Sequence, residues 1–164
     1  MASGDTLAIF VPELNQPPAS NYAVLNLRNG HLVLEFDDTT AWAAIFAGVI
    51  PRNYSGAGIT VYLHWMAKTA TSGTIGWDVT FESNTAATTD LDSDDFATAQ
   101  TVTAATVDAT SGKVTVTNVA ITAGAAGTDS VAAGDAFRLR VRRDVASDNA
   151  AGNAQLLAVE IKET

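Results

Sequence analysis

The chain has 164 residues, which is most simply one domain. Hydrophobic residues make up 47% of it and charged residues 16%, so it is too apolar for a disordered chain. Its net charge of −9 argues against a duplex nucleic-acid binder and against docking on anionic membranes, because both interactions need clustered cationic side chains. It has no cysteine, which excludes disulfides and thiolate metal sites.

The first twenty residues combine a short apolar run with a proline-rich stretch. Residues 7–11 are a candidate strand, and Pro12, Pro17 and Pro18 follow within seven positions. Proline removes backbone donors and fixes φ, which predicts an extended connector. Residues 1–20 are therefore either an arm that reaches along a neighbouring molecule, with Pro17 and Pro18 in the interface, or a strand and loop that cap their own domain.

The arm hypothesis divides the chain into residues 1–20 and a single folded domain at 21–164. Deleting the arm would then leave a folded β domain that no longer attaches to its neighbours. The opening sequence MASGDTLAIF lacks the basic start and apolar core of a signal peptide, so we expect a protein made in a cytoplasm without signal-directed export.

Three strand candidates precede the central part of the chain. Residues 22–26 alternate weakly between apolar and polar, and residues 32–36 alternate well. The pair Asn29-Gly30 between them predicts a tight hairpin turn. The segment 41–51, AWAAIFAGVIP, is compatible with a helix or a strand, and we favour a strand because its neighbours are strands.

The central stretch contains the two clearest runs of alternating side chains. Residues 59–67 place large apolar groups on one side, and residues 75–82 do the same. The intervening AKTATSG is typical of a short chain-reversing loop. We therefore predict a long antiparallel hairpin with Trp65 and Trp77 on its buried face.

The rest of the chain adds further strand candidates, at residues 98–107, 113–122, 137–143 and 154–162. In the second of these Val114, Val116, Val119 and Ile121 form the apolar side, and Asn118 is a candidate bulge where the alternation changes phase. Short strands with this spacing, and no convincing helix or repeat, predict an antiparallel β-sandwich or barrel of about 8–10 strands.

Three arginines share one face of the strand FRLRVRR, namely Arg138, Arg140 and Arg142. Guanidinium groups at such intervals could bind a carboxylate-bearing partner, an acidic sugar or another subunit. The alternative is a solvated face that pairs across the sheet with Asp78, Glu82 or Glu160.

Metal and cofactor sites are not expected. The run DLDSDD at residues 90–95 resembles the start of a calcium loop, but it lacks the glycine at the sixth position and the glutamate at the twelfth. His31 and His64 are the only histidines and are far apart, so we expect both on the surface without a zinc ion. No serine lies in a nucleophile elbow.

Two tyrosines could contact a ligand or another subunit. Tyr62 faces outward in the predicted strand, and Tyr54 lies in the preceding loop. An exposed aromatic shelf formed by them would suit sugar rings, whereas aromatic residues in a sandwich more often belong to the core or to a subunit interface.

The chain resembles a group of uncharacterised proteins from tailed bacteriophages. The resemblance is carried by IPRNYSGAGITVYLHWMAKTATSGTIGWDVTFE, DLDSDDF, AAGDAFRLRVRRD and GNAQLLAVEI, and extends from about residue 32 to the carboxyl end. It implies a small jelly-roll module of a phage particle, typically assembled as a trimer. The expected fold is thus an all-β, antiparallel, jelly-roll-like sandwich with an extended amino-terminal arm.

The resemblance thus implies a virion structural protein. We do not expect an enzyme such as a glycosidase, because the sequence offers no pair of carboxylates that can be placed in a cleft. The first hypothesis is a capsid decoration protein whose partners are its own copies, as a homotrimer, and the major capsid protein. The alternative is a tail, fibre or baseplate module that binds host surface carbohydrate.

Overall fold

The computed structural model describes residues 2–164 and contains ten β-strands and one short 3-10 helix, with no α-helix in that part of the chain. The strands are β1 (Thr6–Phe10), β2 (Val24–Arg28), β3 (His31–Phe36), β4 (Ala43–Val49), β5 (Gly58–Ala67), β6 (Thr74–Asn84), β7 (Gln100–Thr106), β8 (Thr115–Thr122), β9 (Ala136–Arg143) and β10 (Ala154–Glu163). The 3-10 helix (Pro12–Leu14) follows β1. Within residues 2–164, no helix has the length and apolar character needed to cross a membrane.

The strands form two antiparallel sheets that enclose one hydrophobic core. Sheet A has six strands in the order β2-β3-β10-β5-β8, with β1 also paired with β10, and sheet B has the order β4-β9-β6-β7. Apart from the β2–β3 hairpin, the remaining eight strands are distributed between the sheets in jelly-roll order. The predicted all-β, jelly-roll-like sandwich is confirmed.

The two tryptophan-bearing strands do not form the predicted hairpin. β5 pairs with β10 and β8 in sheet A, whereas β6 pairs with β9 and β7 in sheet B. The buried faces are as predicted, since Trp65 and Trp77 are fully buried and their ring centroids lie 6.2 Å apart. The pairing prediction is wrong. Two strands can bury their apolar sides next to each other in one sheet or opposite each other between two sheets, and alternation along the sequence is the same in both cases.

The turn between β2 and β3 forms as predicted. Asn29 has a φ of 48° and Gly30 a φ of 81°, so both central residues adopt the positive φ that a type I′ turn requires. Arg28 and His31 flank the turn as a cross-strand pair. The ambiguous segment 41–51 contains β4, as expected for a strand.

Strand β8 packs Val119 and Ile121 against the core as predicted, but the two valines before them, Val114 and Val116, face outward. Its pairing with β5 continues through Asn118 without a bulge, and the side chain of Val116 remains 50% exposed. Thr117 takes the inward position, where its Oγ1 accepts a hydrogen bond from Nε1 of the buried Trp65 at 2.9 Å. A buried indole N–H needs an acceptor, which explains a threonine where an apolar residue was expected.

The amino-terminal segment is attached to its own sandwich. β1 pairs with β10, and Phe10 is buried with its ring stacked on Phe46 at 5.2 Å. Farther along, Gln16 N donates to Ile45 O at 2.7 Å, and Asn15 Oδ1 accepts from Ile45 N at 3.0 Å. The strand-and-loop alternative therefore describes residues 6–16, and the free extended arm does not.

Candidate interaction surfaces

The arginines of β9 lie on the outer face of sheet B and are paired within the chain. Arg138 Nε donates to Glu82 Oε1 at 2.9 Å, and Nη2 of Arg142 donates to Asp78 Oδ2 at 2.8 Å. Both pairs join residues that lie opposite each other on β6 and β9. The arginines therefore pair across the sheet with Asp78 and Glu82, which is the alternative that the sequence analysis gave for this face.

The third arginine of the row, Arg140, has a different environment. Its Nη2 donates to Thr80 Oγ1 at 3.4 Å, and its guanidinium lies 4.6 Å from the ring centroid of Phe96, which also covers Arg138 at 4.9 Å. Burial lowers the pKa of Arg140, and the neighbouring positive charge of Arg142 lowers it further. The row is thus covered in part by Phe96 and its charges are largely compensated, so it is a poor docking site for an anionic partner.

Glu160, the third acid proposed for that row, lies in the other sheet. It accepts a hydrogen bond from Thr6 Oγ1 at 2.7 Å, and Lys162 Nζ lies 3.6 Å from its Oε1. The sequence indicated only that Glu160 faces outward. It could not indicate in which of the two sheets the strand of Glu160 lies, so the predicted pairing with the arginines is wrong.

The two tyrosines do not form an exposed shelf. Tyr54 is buried, and its hydroxyl oxygen accepts a hydrogen bond from Gly58 N at 3.1 Å. Burial also raises the pKa of Tyr54. Tyr62 is half-buried on the outer face of sheet A, with Lys162 Nζ 6.0 Å from its ring centroid. The proposal of Tyr54 as an interface residue is therefore wrong, because its ring belongs to the core.

The acidic run at residues 90–95 forms local turns. Asp90 Oδ1 accepts from Asp92 N at 3.1 Å, and Asp95 Oδ1 accepts from Phe96 N at 2.7 Å. In the described part of the chain, no three histidine, cysteine or acidic side chains come together in a group that could hold a metal ion. His31 is exposed and His64 half-buried.

Strand β2 exposes large apolar side chains at the edge of sheet A. Val24, Leu25 and Leu27 are 41%, 51% and 63% exposed. Leu27 is paired with Leu32 of β3, and Leu32 lines a groove together with Val11 next to the 3-10 helix. We call Val24, Leu25, Leu27, Leu32 and Val11 the β2 surface. The sequence carried a signal for it, because VLNLR places Leu25 and Leu27 together on one side of the strand.

A separate polar cluster lies on the outer face of sheet A around Glu35. Its carboxylate is buried and accepts hydrogen bonds from Lys68 at 2.7 Å, Asn153 at 2.7 Å, Asn26 at 2.9 Å and Gln155 at 3.3 Å. Burial by itself raises the pKa of Glu35, but these four donors outweigh it, so the pKa lies below the ordinary value of 4.5. The cluster fixes β2, β3 and β10 to one another.

The Glu35 cluster makes a prediction about pH. Because the folded-state pKa is lowered, its contribution to stability is complete above pH 4.5 and is lost as the pH falls through the folded-state pKa. We expect Glu35→Gln to lower the free energy of unfolding by about 2 kcal/mol at pH 7. Urea unfolding at pH 7 and pH 3 should show a smaller difference between variant and wild type at pH 3, whereas an equal difference at both values would contradict the assignment.

A cleft of about 520 Å³ lies on the outer face of sheet A. Its floor includes Val33 and Met66, and the loop between β7 and β8 covers one side of it. Sequence analysis missed this cleft, because its walls come from segments that are far apart in the chain.

Comparisons with known proteins do not assign a role to any of these surfaces. Neither the protein-family models nor the curated protein sequences contain a match. Among solved structures, the chain is similar to the CBM22-1 and GH10 modules of endo-1,4-beta-D-xylanase 10B from Clostridium thermocellum, complexed with xylohexaose, with 12% sequence identity and a TM-score of 0.44. The match covers 87% of this chain and 24% of that one.

Proposed function

We propose that this protein is a non-catalytic virion structural protein of a bacteriophage that decorates the capsid. In this proposal it binds to copies of itself, as a homotrimer, and to the major capsid protein, and the β2 surface forms the contact between copies. The phage assignment is supported by the sequence resemblance, and the mode of action by the β2 surface.

The proposed contact between copies rests on the exposure of Leu25 and Leu27, which are 51% and 63% exposed on an edge strand. A chain of this size gains stability from each leucine that it buries, and a contiguous exposed apolar patch is a usual mark of a protein–protein interface. Edge strands that remain uncovered normally carry charged residues or proline. Strand β2 carries two leucines and a valine, and its one charged residue, Arg28, is engaged with Gln155 and the carbonyls of Ala67 and Lys68.

The backbone of β2 favours contact through side chains over addition of another strand. Asn26 Oδ1 accepts a hydrogen bond from the backbone N–H of Leu27 at 2.8 Å, and Asn26 Nδ2 donates to Glu35. A partner strand would have to displace this asparagine before it could pair with Leu27. We therefore expect copies to pack their leucine side chains against each other.

The charged groups also support a structural role. The buried carboxylates Asp78, Glu82 and Glu35 have basic partners in Arg142, Arg138 and Lys68. Carboxylates held in such pairs serve the fold, because protonating one of them would leave its basic partner without a counter-charge. The net charge of −9 would keep assembled particles apart in solution.

Introducing charge into the β2 surface tests the proposal. We expect the double variant Leu25→Asp/Leu27→Asp to convert a trimer into a monomer of 17.0 kDa, because burying each leucine side chain contributes about 2 kcal/mol. Light scattering coupled to size-exclusion chromatography measures the mass. The matched control is Val114→Asp/Val116→Asp, two similarly exposed valines near and on β8, which should leave the trimer intact.

A monomeric wild type at tens of micromolar, or a trimer that survives the leucine substitutions, would contradict self-association through β2. The location in the particle needs a separate measurement. Quantitative mass spectrometry of purified particles should find hundreds of copies if the protein decorates the capsid. A handful of copies would favour the tail, fibre or baseplate module that binds host carbohydrate.

A further inference from the structure

The cleft on the outer face of sheet A has the size and lining of a ligand site. Its volume of about 520 Å³ falls within the usual range for small-molecule sites. Val33 and Met66 of its floor lie outside the core between the sheets, yet they are 0% and 5% exposed. Leu157, at the bulge in β10, and Val114 complete an apolar lining that contains no aromatic ring among the described residues.

The charges around the cleft are the opposite of those on the whole protein. Arg28, His31 and Lys113 line it, and none of its described lining residues is acidic. Asp108 lies 3.3 Å from Lys113 Nζ, and both of these side chains are more than a third exposed. In a chain with 18 acidic and 9 basic residues, such a rim would attract an anion.

The guanidinium of Arg28 is held in place before any ligand binds. Its Nη1 donates to Ala67 O at 3.0 Å, to Lys68 O at 3.1 Å and to Gln155 Oε1 at 2.7 Å. Gly112 packs so closely on the other side that a Cβ there would lie 2.6 Å from Arg28 Nη2. A fixed guanidinium loses little conformational entropy when it binds a carboxylate, which makes it an effective anchor.

We propose that this cleft binds a small carboxylate with an aliphatic body. The alkyl chain lies on Leu157 and Val114, the accessible apolar side chains of the lining, above the covered Val33 and Met66. The carboxylate lies at the rim formed by Arg28, His31 and Lys113. A sugar acid is a poorer fit, because sugar rings are usually bound by stacking on aromatic rings, and the cleft offers aliphatic groups. The cleft adjoins the groove of the β2 surface, since His31 and Leu157 line both. Ligand titration and measurement of the oligomeric mass nevertheless test the two proposals separately.

Octanoate is the probe, and 1-octanol and glucuronate are its matched controls. Titration of the ¹⁵N-labelled full-length protein by NMR should shift the amide signals of residues 28–33, 110–114 and 157, with a dissociation constant of about 1 mM or lower for octanoate. We expect 1-octanol to bind at least about fivefold more weakly because it lacks the charge. Glucuronate should bind more weakly still because it lacks the alkyl chain.

Two variants locate the site without disturbing the core. His31→Gln/Lys113→Gln removes one exposed positive charge and the imidazole donor from the rim, and should weaken octanoate binding about fivefold or more. Val114→Trp should fill the cleft and abolish binding, whereas Val116→Trp, two residues farther along the same segment and equally exposed, should leave binding unchanged. Equal affinity for octanoate and 1-octanol, shifts confined to residues outside the cleft, or unchanged binding in Val114→Trp would each overturn the proposal.

Discussion

A chain that lacks residues 1–20 is expected to lose cooperative folding. The deletion removes β1, which pairs with β10 from Phe10↔Val159 to Thr6↔Lys162. It also removes Phe10, whose ring stacks on Phe46 and lies 6.1 Å from that of Phe137. This expectation reverses the one drawn from the prolines alone, because β1 supplies part of the core and one edge of β10.

Point variants of β1 separate the loss of core packing from the loss of the strand. Phe10→Ala should lower the free energy of unfolding by about 3–5 kcal/mol, as large-to-small substitutions of buried aromatic residues do. Its neighbour Ile9 is 60% exposed, so Ile9→Ala is the matched control and should change stability by less than about 0.5 kcal/mol. Urea unfolding monitored by tryptophan fluorescence measures both. A truncated protein that unfolds with the wild-type midpoint would restore the arm hypothesis.

The second large effect is expected at Arg143, the one arginine of β9 with a fully buried side chain in the described structure. Its Nε donates to Asp148 Oδ2 at 2.6 Å, and its other nitrogens donate to the carbonyls of Gly152 at 2.9 Å and Ala150 at 3.2 Å. A single side chain thus fixes the loop between β9 and β10. We expect Arg143→Met to lower the free energy of unfolding by about 3–5 kcal/mol, because Asp148 would remain buried without a counter-charge.

A double variant distinguishes the cost of the unpaired charge from the cost of the lost carbonyl contacts. Arg143→Met/Asp148→Leu removes both charges, so it should recover part of the stability lost in Arg143→Met. Urea unfolding of the wild type, the two single variants and the double variant gives the coupling between the residues. If the losses in the free energy of unfolding were additive, Arg143 would not stabilise the buried charge of Asp148, and the assignment would be contradicted.

Sequence patterns located the strands well and their partners poorly. The alternation at residues 59–67 and 75–82 correctly placed Trp65 and Trp77 in the core, because side-chain direction along a strand is a local property of the backbone. The partner of each strand depends on which distant segments close the sheet. The sequence-based interpretation therefore joined β5 and β6, whereas the jelly roll separates them into facing sheets.

The same distinction applies to the candidate sites. The outward row of Arg138, Arg140 and Arg142 followed from alternation, and its carboxylate partners Asp78 and Glu82 were among those predicted. Tyr54 was misplaced because a loop residue has no periodic pattern from which to infer its burial. Val116 and Thr117 exchanged faces because the hydrogen bond required by Trp65 outweighed the preference for burying valine.

By itself, the sequence determined the all-β class, the Asn29-Gly30 turn and most of the buried side chains, since turn geometry and alternating side-chain direction act over a few residues. Only the tertiary structure decided that β1 completes sheet A, that β2 is left as an apolar edge, and that Arg28, Met66 and Leu157 meet around one cleft. These features depend on strand pairing between segments about 150 residues apart, such as Phe10 with Val159 and Thr6 with Lys162. The order of such pairing is set by packing the two sheets into one core.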